Sequence, residues 1–185
     1  MDAWEVERVQ HPGLDKRRRQ RGQALVEFAV LMSIMFLLLA GGVDLGSLLD
    51  SHLAVVYATR QAARTGAEED TNPGADCAIL GAVYAATQNL TLVTVTQIII
   101  YKADSNGNPT TDQEVFLGNP GCPNPATPPT PSSGSWDPSK RQVSPPNEDS
   151  LGVEIDYTYS WQTAFIATGS YQGTDRTVMK LNPVV

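Results

Sequence analysis

The stretch Arg21-Gly22-Gln23-Ala24-Leu25-Val26-Glu27-Phe28 opens a long apolar segment that continues as AVLMSIMFLLLAGGV to Val43. Between Ala24 and Val43 the only ionisable side chain is that of Glu27. Twenty helical residues extend about 30 Å, which matches the hydrocarbon core of a bilayer. The segment also lacks the polar face that a buried helix of a soluble domain keeps. The sequence therefore predicts a transmembrane helix over about residues 24–43.

Charged residues are divided unevenly about this segment. Six of the thirteen basic residues precede Gly22, whereas seven basic and sixteen acidic residues follow it. An excess of Lys and Arg stays on the cytoplasmic side of a membrane. We therefore expect a single-pass protein of the cytoplasmic (inner) membrane, with its N-terminus in the cytoplasm and its head outside. The acidic head has no basic stripe to neutralise phosphates, which argues against nucleic acid as a partner.

The residues around Gly22 resemble the processing site of type IV prepilins, because a basic cluster, a glycine, a later glutamate and a full-length apolar span follow one another. Two further segments strengthen this resemblance: Gly42-Val43-Asp44-Leu45-Gly46 and Arg60-Gln61-Ala62-Ala63-Arg64-Thr65-Gly66-Ala67. Together they are similar to the TadE-like family, minor pilins of tight-adherence (Tad, or Flp) pilus systems. The resemblance is specific over about residues 21–67 and weak over residues 68–174, and residues 176–183 also have the look of that family's C-terminus.

The resemblance implies that a prepilin peptidase cuts after Gly22 and leaves Gln23 as the new N-terminus. Glu27 is then the family's fifth residue, which is thought to meet the α-amino group of a neighbouring subunit during assembly, and Phe28 takes the aromatic position after it. A carboxylate within a span needs a nearby cation to remain charged at modest cost. The alternative is that Glu27 lies near the cytoplasmic face and snorkels to water. Cyclisation of Gln23 to pyroglutamate would remove the cation, and N-methylation would protect against it.

The remaining sequence predicts an α+β fold: a long N-terminal helix that continues into a small head with a short helix and an antiparallel sheet. The helix should extend to about Glu68, with apolar residues recurring at helical spacing at Leu45, Leu48, Leu49, Leu53, Val56 and Ala63. Residues 77–89 should form the short helix, with Ile79, Leu80, Val83 and Tyr84 inward. Strands are predicted at residues 92–101, 114–117, 151–161 and 176–181, and an irregular Pro-rich loop at about 119–146. We divide the chain into a leader (1–22) without regular structure, a TadE-like segment (23–67) and an exported head (68–185).

The sequence of the head contains few residues that are typical of catalytic or metal-binding sites. Its two cysteines, Cys77 and Cys122, are expected to form a disulfide because an exported head lies in an oxidising compartment. The chain has only two histidines, His11 and His52, and no catalytic motif, so we expect neither an enzyme nor a cofactor. Oxygen-bearing side chains alternate over residues 104–112, but the glycine and the glutamate of a calcium-binding loop are missing, so a turn is expected and no metal site.

Three functions fit these patterns. The first is a structural pilin-like subunit that takes part in assembly of a tight-adherence pilus for surface adhesion. Its partners would be the lipid bilayer, the prepilin peptidase, other pilin-like subunits and the pilus assembly machinery. The second is a membrane-anchored binding module that never enters a filament. The third is a secreted protein, cut by signal peptidase before Val43, since Ala40-Gly41-Gly42 fits its small-residue pattern.

Overall fold

The computed structural model describes residues 12–125, 127–163 and 168–181, with side chains from Gly22 onward. Within these residues, two α-helices, α1 (Pro12–Glu69) and α2 (Ala75–Thr87), precede all the strands. The five strands of the described residues are β1 (Val93–Ala103), β2 (Pro109–Leu117), β3 (Ser133–Gly134), β4 (Ser150–Ser160) and β5 (Ser170–Lys180). They form one antiparallel sheet in the order β3-β2-β1-β4-β5. The predicted α+β fold is confirmed.

The chain divides into two compact units, Met1–Val43 and Asp44–Val185. In the first unit, the side chains of α1 are exposed through nearly the whole apolar segment. The helix is long and apolar enough to cross a membrane, which fits a single-pass membrane protein. The expectation that the leader lacks regular structure is wrong for residues 12–21, which are helical, while residues 1–11 lie outside the described part.

In the second unit, α1 from Asp44 onward and α2 contribute to the same core as the sheet. The alternation predicted for β4 is confirmed, since Val153, Ile155, Tyr157 and Tyr159 are all buried. Trp161 follows the strand and is half-buried against this core. The predicted end of α1 is also confirmed, because the helix stops at Glu69 and Asp70 adopts a left-handed conformation with φ of 58°.

Two buried tyrosines in the sheet require glycine as their cross-strand neighbour. Tyr101 pairs with Gly152 and Tyr157 pairs with Gly173. A Cβ atom on Gly152 would lie 2.2 Å from the ring of Tyr101, and one on Gly173 would lie 2.4 Å from the ring of Tyr157. Each tyrosine ring therefore occupies the space that its partner's side chain would need.

The apolar residues that recur along α1 divide between a packed and an exposed side of the helix. Leu45, Leu49 and Leu53 are exposed, and Leu48 packs partly against the core. The buried positions are held mainly by small and polar residues: Asp44, Ser51, Val55, Ala58, Thr59, Ala62 and Ala63. Close approach of the helix to the core explains this choice. A Cβ atom on Gly66 would lie 2.7 Å from Ile79 and 2.9 Å from Leu151. Leucines on that face would be too large for this separation.

Smaller corrections concern the head. Tyr84 is 44% exposed rather than inward, and its ring lies against Gly121 of the Pro-rich loop instead of in the core. The strands β2 and β5 begin earlier than predicted, at Pro109 and Ser170. The start of β5 was missed because its sequence is polar. It also contains Gly173, and glycine is uncommon inside strands. The ring of Tyr157 requires that glycine. The Pro-rich loop is mostly irregular as predicted, but it contains β3 and a short 3-10 helix at Pro138–Lys140.

Candidate assembly helix and the anchored loop of the head

Gly22, the glycine of the predicted cut, is not required by the fold of this chain. A Cβ atom on Gly22 would meet no atom within 4 Å. Glycine costs a helix about 1 kcal/mol relative to alanine, so its presence within α1 is a net disadvantage for the helix itself. Contacts within the described part of the chain therefore give no packing reason for glycine at this position.

The structure brings Gln23 and Glu27 together one helical turn apart. The side-chain amide of Gln23 donates a hydrogen bond of 3.1 Å to Oε1 of Glu27. Among the side chains that the structure describes, no cation pairs with Glu27. Phe28 is exposed on the same helix. In the uncut chain, then, Glu27 has a neutral partner and no neighbouring positive charge within its described surroundings.

An apolar row runs along α1 beyond the apolar segment. We call it the exposed row, and it consists of Leu45, Leu49, Leu53 and Tyr57, which follow one another at four-residue steps and are all more than half exposed. A Cβ atom on Gly46, beside this row, would meet nothing within 4 Å. The exposed row thus presents large apolar side chains that no other described part of the protein covers.

The opposite side of α1 is held to the sheet by polar contacts. Asp44 is fully buried, and its carboxylate accepts hydrogen bonds from the backbone N–H of Thr163 at 3.0 Å and from the Thr163 hydroxyl. His52 Nδ1 lies 2.9 Å from the Tyr157 hydroxyl, and the Thr59 hydroxyl donates to Asp175. Burial raises the pKa of Tyr157, so its phenol stays protonated at neutral pH. These side chains fix which face of α1 meets the sheet.

The Pro-rich loop is tied to α2 by a disulfide. The structure joins Cys77, in the first turns of α2, to Cys122, with their Cα atoms 5.2 Å apart. The bond closes a segment of 45 residues that includes β1 and β2. Closing a segment of this length stabilises a fold by about 4 kcal/mol in the chain-entropy model.

The same loop is anchored a second time by two buried side chains that the sequence analysis did not single out. Trp136 is 2% exposed, and the guanidinium of Arg141 lies 4.7 Å from the centre of its ring. Arg141 forms an ion pair with Asp76, the residue next to Cys77 in α2. The backbone N–H of Trp136 donates to Oε1 of Glu114 on β2 at 3.0 Å. In the sequence, the signal for this anchor was a single tryptophan and an arginine within a polar, Pro-rich stretch. We call residues 122–141 the anchored loop.

Removing the disulfide should destabilise the head without affecting membrane insertion. For Cys77→Ser combined with Cys122→Ser we expect the thermal midpoint to fall by about 10 °C and the anchored loop to be cut faster by protease. Thermal unfolding of the detergent-solubilised protein measures the first effect, and membrane fractionation provides the control for insertion. Equal reactivity of both thiols in the folded, unreduced wild-type protein would contradict the bond.

The residues considered for calcium form a turn. Oδ1 of Asp104 accepts hydrogen bonds from the backbone N–H groups of Asn106 and Asn108, both at 2.8 Å. These bonds hold the pKa of the Asp104 carboxyl below its usual range. Within the described part of the chain, no group of three or more His, Cys, Asp or Glu side chains is placed to hold a metal ion.

Comparison with known proteins gives one family. The model of the family described as TadE-like protein matches residues 22–64, so the resemblance found in the sequence is confirmed over that range. The match begins at Gly22, covers the apolar segment and includes the exposed row. No curated protein and no solved structure matches the chain. For the part of the chain beyond Arg64, including the head, these comparisons found no similar protein.

Proposed function

We propose that this chain is a structural, pilin-like subunit of a tight-adherence pilus system. A prepilin peptidase removes the leader, residues 1–22, and the TadE-like segment, residues 23–67, anchors the protein in the cytoplasmic membrane with its head outside. The helix then joins other pilin-like subunits in the assembly of a pilus that serves surface adhesion. The observation that carries this proposal is the family match, which starts at the glycine of the cut and contains the whole apolar segment.

The exposed row supports assembly through the helix. Residues 24–43 already fill the hydrocarbon core of a bilayer. The exposed row follows these residues in the chain, and from Leu45 to Tyr57 it spans roughly 18 Å of helix at 1.5 Å per residue. Contiguous apolar surface on a protein usually marks an interaction site. A helix of another pilin-like subunit, running alongside in the same membrane, has the shape to cover it.

The described side chains also support a structural role. His52 is hydrogen-bonded to Tyr157, and both cysteines are held in a disulfide. The buried charges of the head serve its own packing, as in the pair of Arg141 with Asp76. We therefore propose no reaction and no cofactor for this protein, and its partners are other membrane subunits and the assembly machinery.

Crosslinking tests the proposed contact. A photoreactive amino acid placed at Leu49, which is 62% exposed in the exposed row, should give crosslinks to other pilin-like subunits in cells that assemble the pilus. The matched control is the same amino acid at Leu117, which is 68% exposed at the end of β2 in the head. We expect several-fold more subunit crosslinks from position 49, because only this position lies in the row that a neighbouring helix would cover. Equal yields from the two positions would favour an anchored binding module that is never assembled.

A further inference from the structure

Three charged side chains are buried together where the anchored loop meets α2 and β2. Asp76 of α2, Glu114 of β2 and Arg141 of the loop are each less than 10% exposed. Arg141 pairs with Oδ1 of Asp76, and Glu114 uses Oε1 to accept the backbone N–H of Trp136. Arg141 also donates from Nη2 to the backbone carbonyl of Trp136, so the ion pair and Glu114 are linked through the backbone of that one residue. Two acids therefore share one buried cation.

The other charged groups around this cluster do not supply the missing positive charge. Asp70, at the end of α1, and Asp137, in the loop, are further acids close to it. Lys140 is exposed, and its positive charge acts on the neighbouring carboxyl of Asp137. Burial raises the pKa of both Asp76 and Glu114. Repulsion from Asp76 raises the pKa of Glu114 further, and repulsion from Asp137 raises both, whereas the charge of Arg141 lowers both. Charging both acids at once is therefore unfavourable in the folded head.

We propose that Asp76, Glu114 and Arg141 form a pH-sensitive latch on the anchored loop. With a proton on Glu114, the cluster is neutral: Asp76 pairs with Arg141, and Oε1 of Glu114 still accepts from the backbone N–H of Trp136. With both acids charged, one buried negative charge has no partner, and the loop loosens from α2 and β2 while the disulfide keeps Cys122 in place. This latch belongs to the head and does not depend on the proposed function.

The direction of the pH dependence follows from proton binding. Glu114 binds its proton more tightly in the closed state than in the open one, so the closed state holds more protons between the ordinary carboxyl range and the raised pKa of Glu114. The stability that this proton contributes is complete below the ordinary pKa of a glutamate and falls as pH rises through the raised pKa. Each unit by which a pKa is raised changes the equilibrium constant for opening about tenfold.

Hydrogen exchange of the full-length protein in detergent measures the opening directly. Protection of the amides from Trp136 to Arg141, corrected for the intrinsic pH dependence of exchange, should fall about tenfold or more between about pH 5 and about pH 8. Glu114→Gln removes the charge that titrates, while its amide oxygen can still accept from the backbone N–H of Trp136, so protection should stay high at both pH values. Amides of β1 around Ile98 serve as the reference that the head remains folded.

Two further variants make the test specific. Glu148→Gln, at an acid just beyond the anchored loop that pairs with Lys180, should keep the wild-type pH dependence. Asp76→Asn removes the partner of Arg141 and should lower loop protection at both pH values. The latch is refuted if wild-type protection does not change with pH, or if Glu114→Gln shows the same fall as the wild type.

Discussion

Replacing Gly22 with leucine should leave residues 1–22 attached to the protein in the membrane. A peptidase that cuts beside the bilayer has little room for a side chain at this position, so we expect complete loss of processing. The folded chain itself tolerates the change, because nothing lies within 4 Å of a Cβ atom at Gly22. Insertion should be normal, since the apolar segment and the basic residues before it are unchanged. Mobility of the membrane fraction on a denaturing gel shows the retained leader.

A second glycine of α1 provides the matched control for this variant. Gly46 also has no atom within 4 Å of a Cβ position, so Gly46→Leu makes the same substitution in the same helix without a clash. We expect Gly46→Leu to be processed like the wild type. If Gly22→Leu were processed like the wild type, the proposed cut after Gly22 would be contradicted.

Replacing Glu27 with glutamine should abolish assembly and leave the rest of the protein's behaviour unchanged. Glutamine keeps the shape and can still accept the hydrogen bond from Gln23, but it removes the charge that would meet a neighbour's α-amino group. A charged acid within a span costs up to about 3 kcal/mol at the midplane and less near the edge, so insertion should become slightly easier. We expect normal membrane levels and processing, together with loss of surface filaments and of crosslinks from position 49.

Glu68 offers the control for this change of charge. It lies on the same helix outside the apolar segment and pairs with Arg64 at the surface, where an ion pair contributes little. Glu68→Gln should therefore assemble normally. If Glu27→Gln also assembles with wild-type filament counts and crosslinks, Glu27 is a snorkelling carboxylate without a partner.

The features that the sequence revealed are those in which a periodic pattern and burial coincide. The apolar segment was recognisable in the sequence because only Glu27 interrupts it. Strand β4 was recognisable because its buried residues alternate with polar ones: Val153, Ile155, Tyr157 and Tyr159. Both patterns reflect local geometry, a helix crossing a membrane and a strand with one buried face. The match to the family was likewise visible in residues close together in the sequence.

The features that the sequence concealed depend on residues far apart in the chain. The helical recurrence of leucines along α1 did not show which of them pack, because close approach of the core selects small residues on the packed side and leaves Leu45, Leu49 and Leu53 outside. Burial of Asp44 depends on Thr163, which satisfies its carboxylate and lies more than a hundred residues later in the chain. The cluster of Asp76, Glu114 and Arg141 likewise joins three distant segments. No pattern within a short stretch of sequence predicts contacts between residues so far apart in the chain.

The mass of the mature protein tests the central claim most directly. The wild-type chain is extracted from membranes of cells that contain the prepilin peptidase, and its intact mass is measured by mass spectrometry. We predict the mass of residues 23–185, allowing for methylation or cyclisation of Gln23. The full mass of residues 1–185 would indicate an anchored module that is never processed, and loss of residues 1–42 would indicate secretion, so either result would contradict the account.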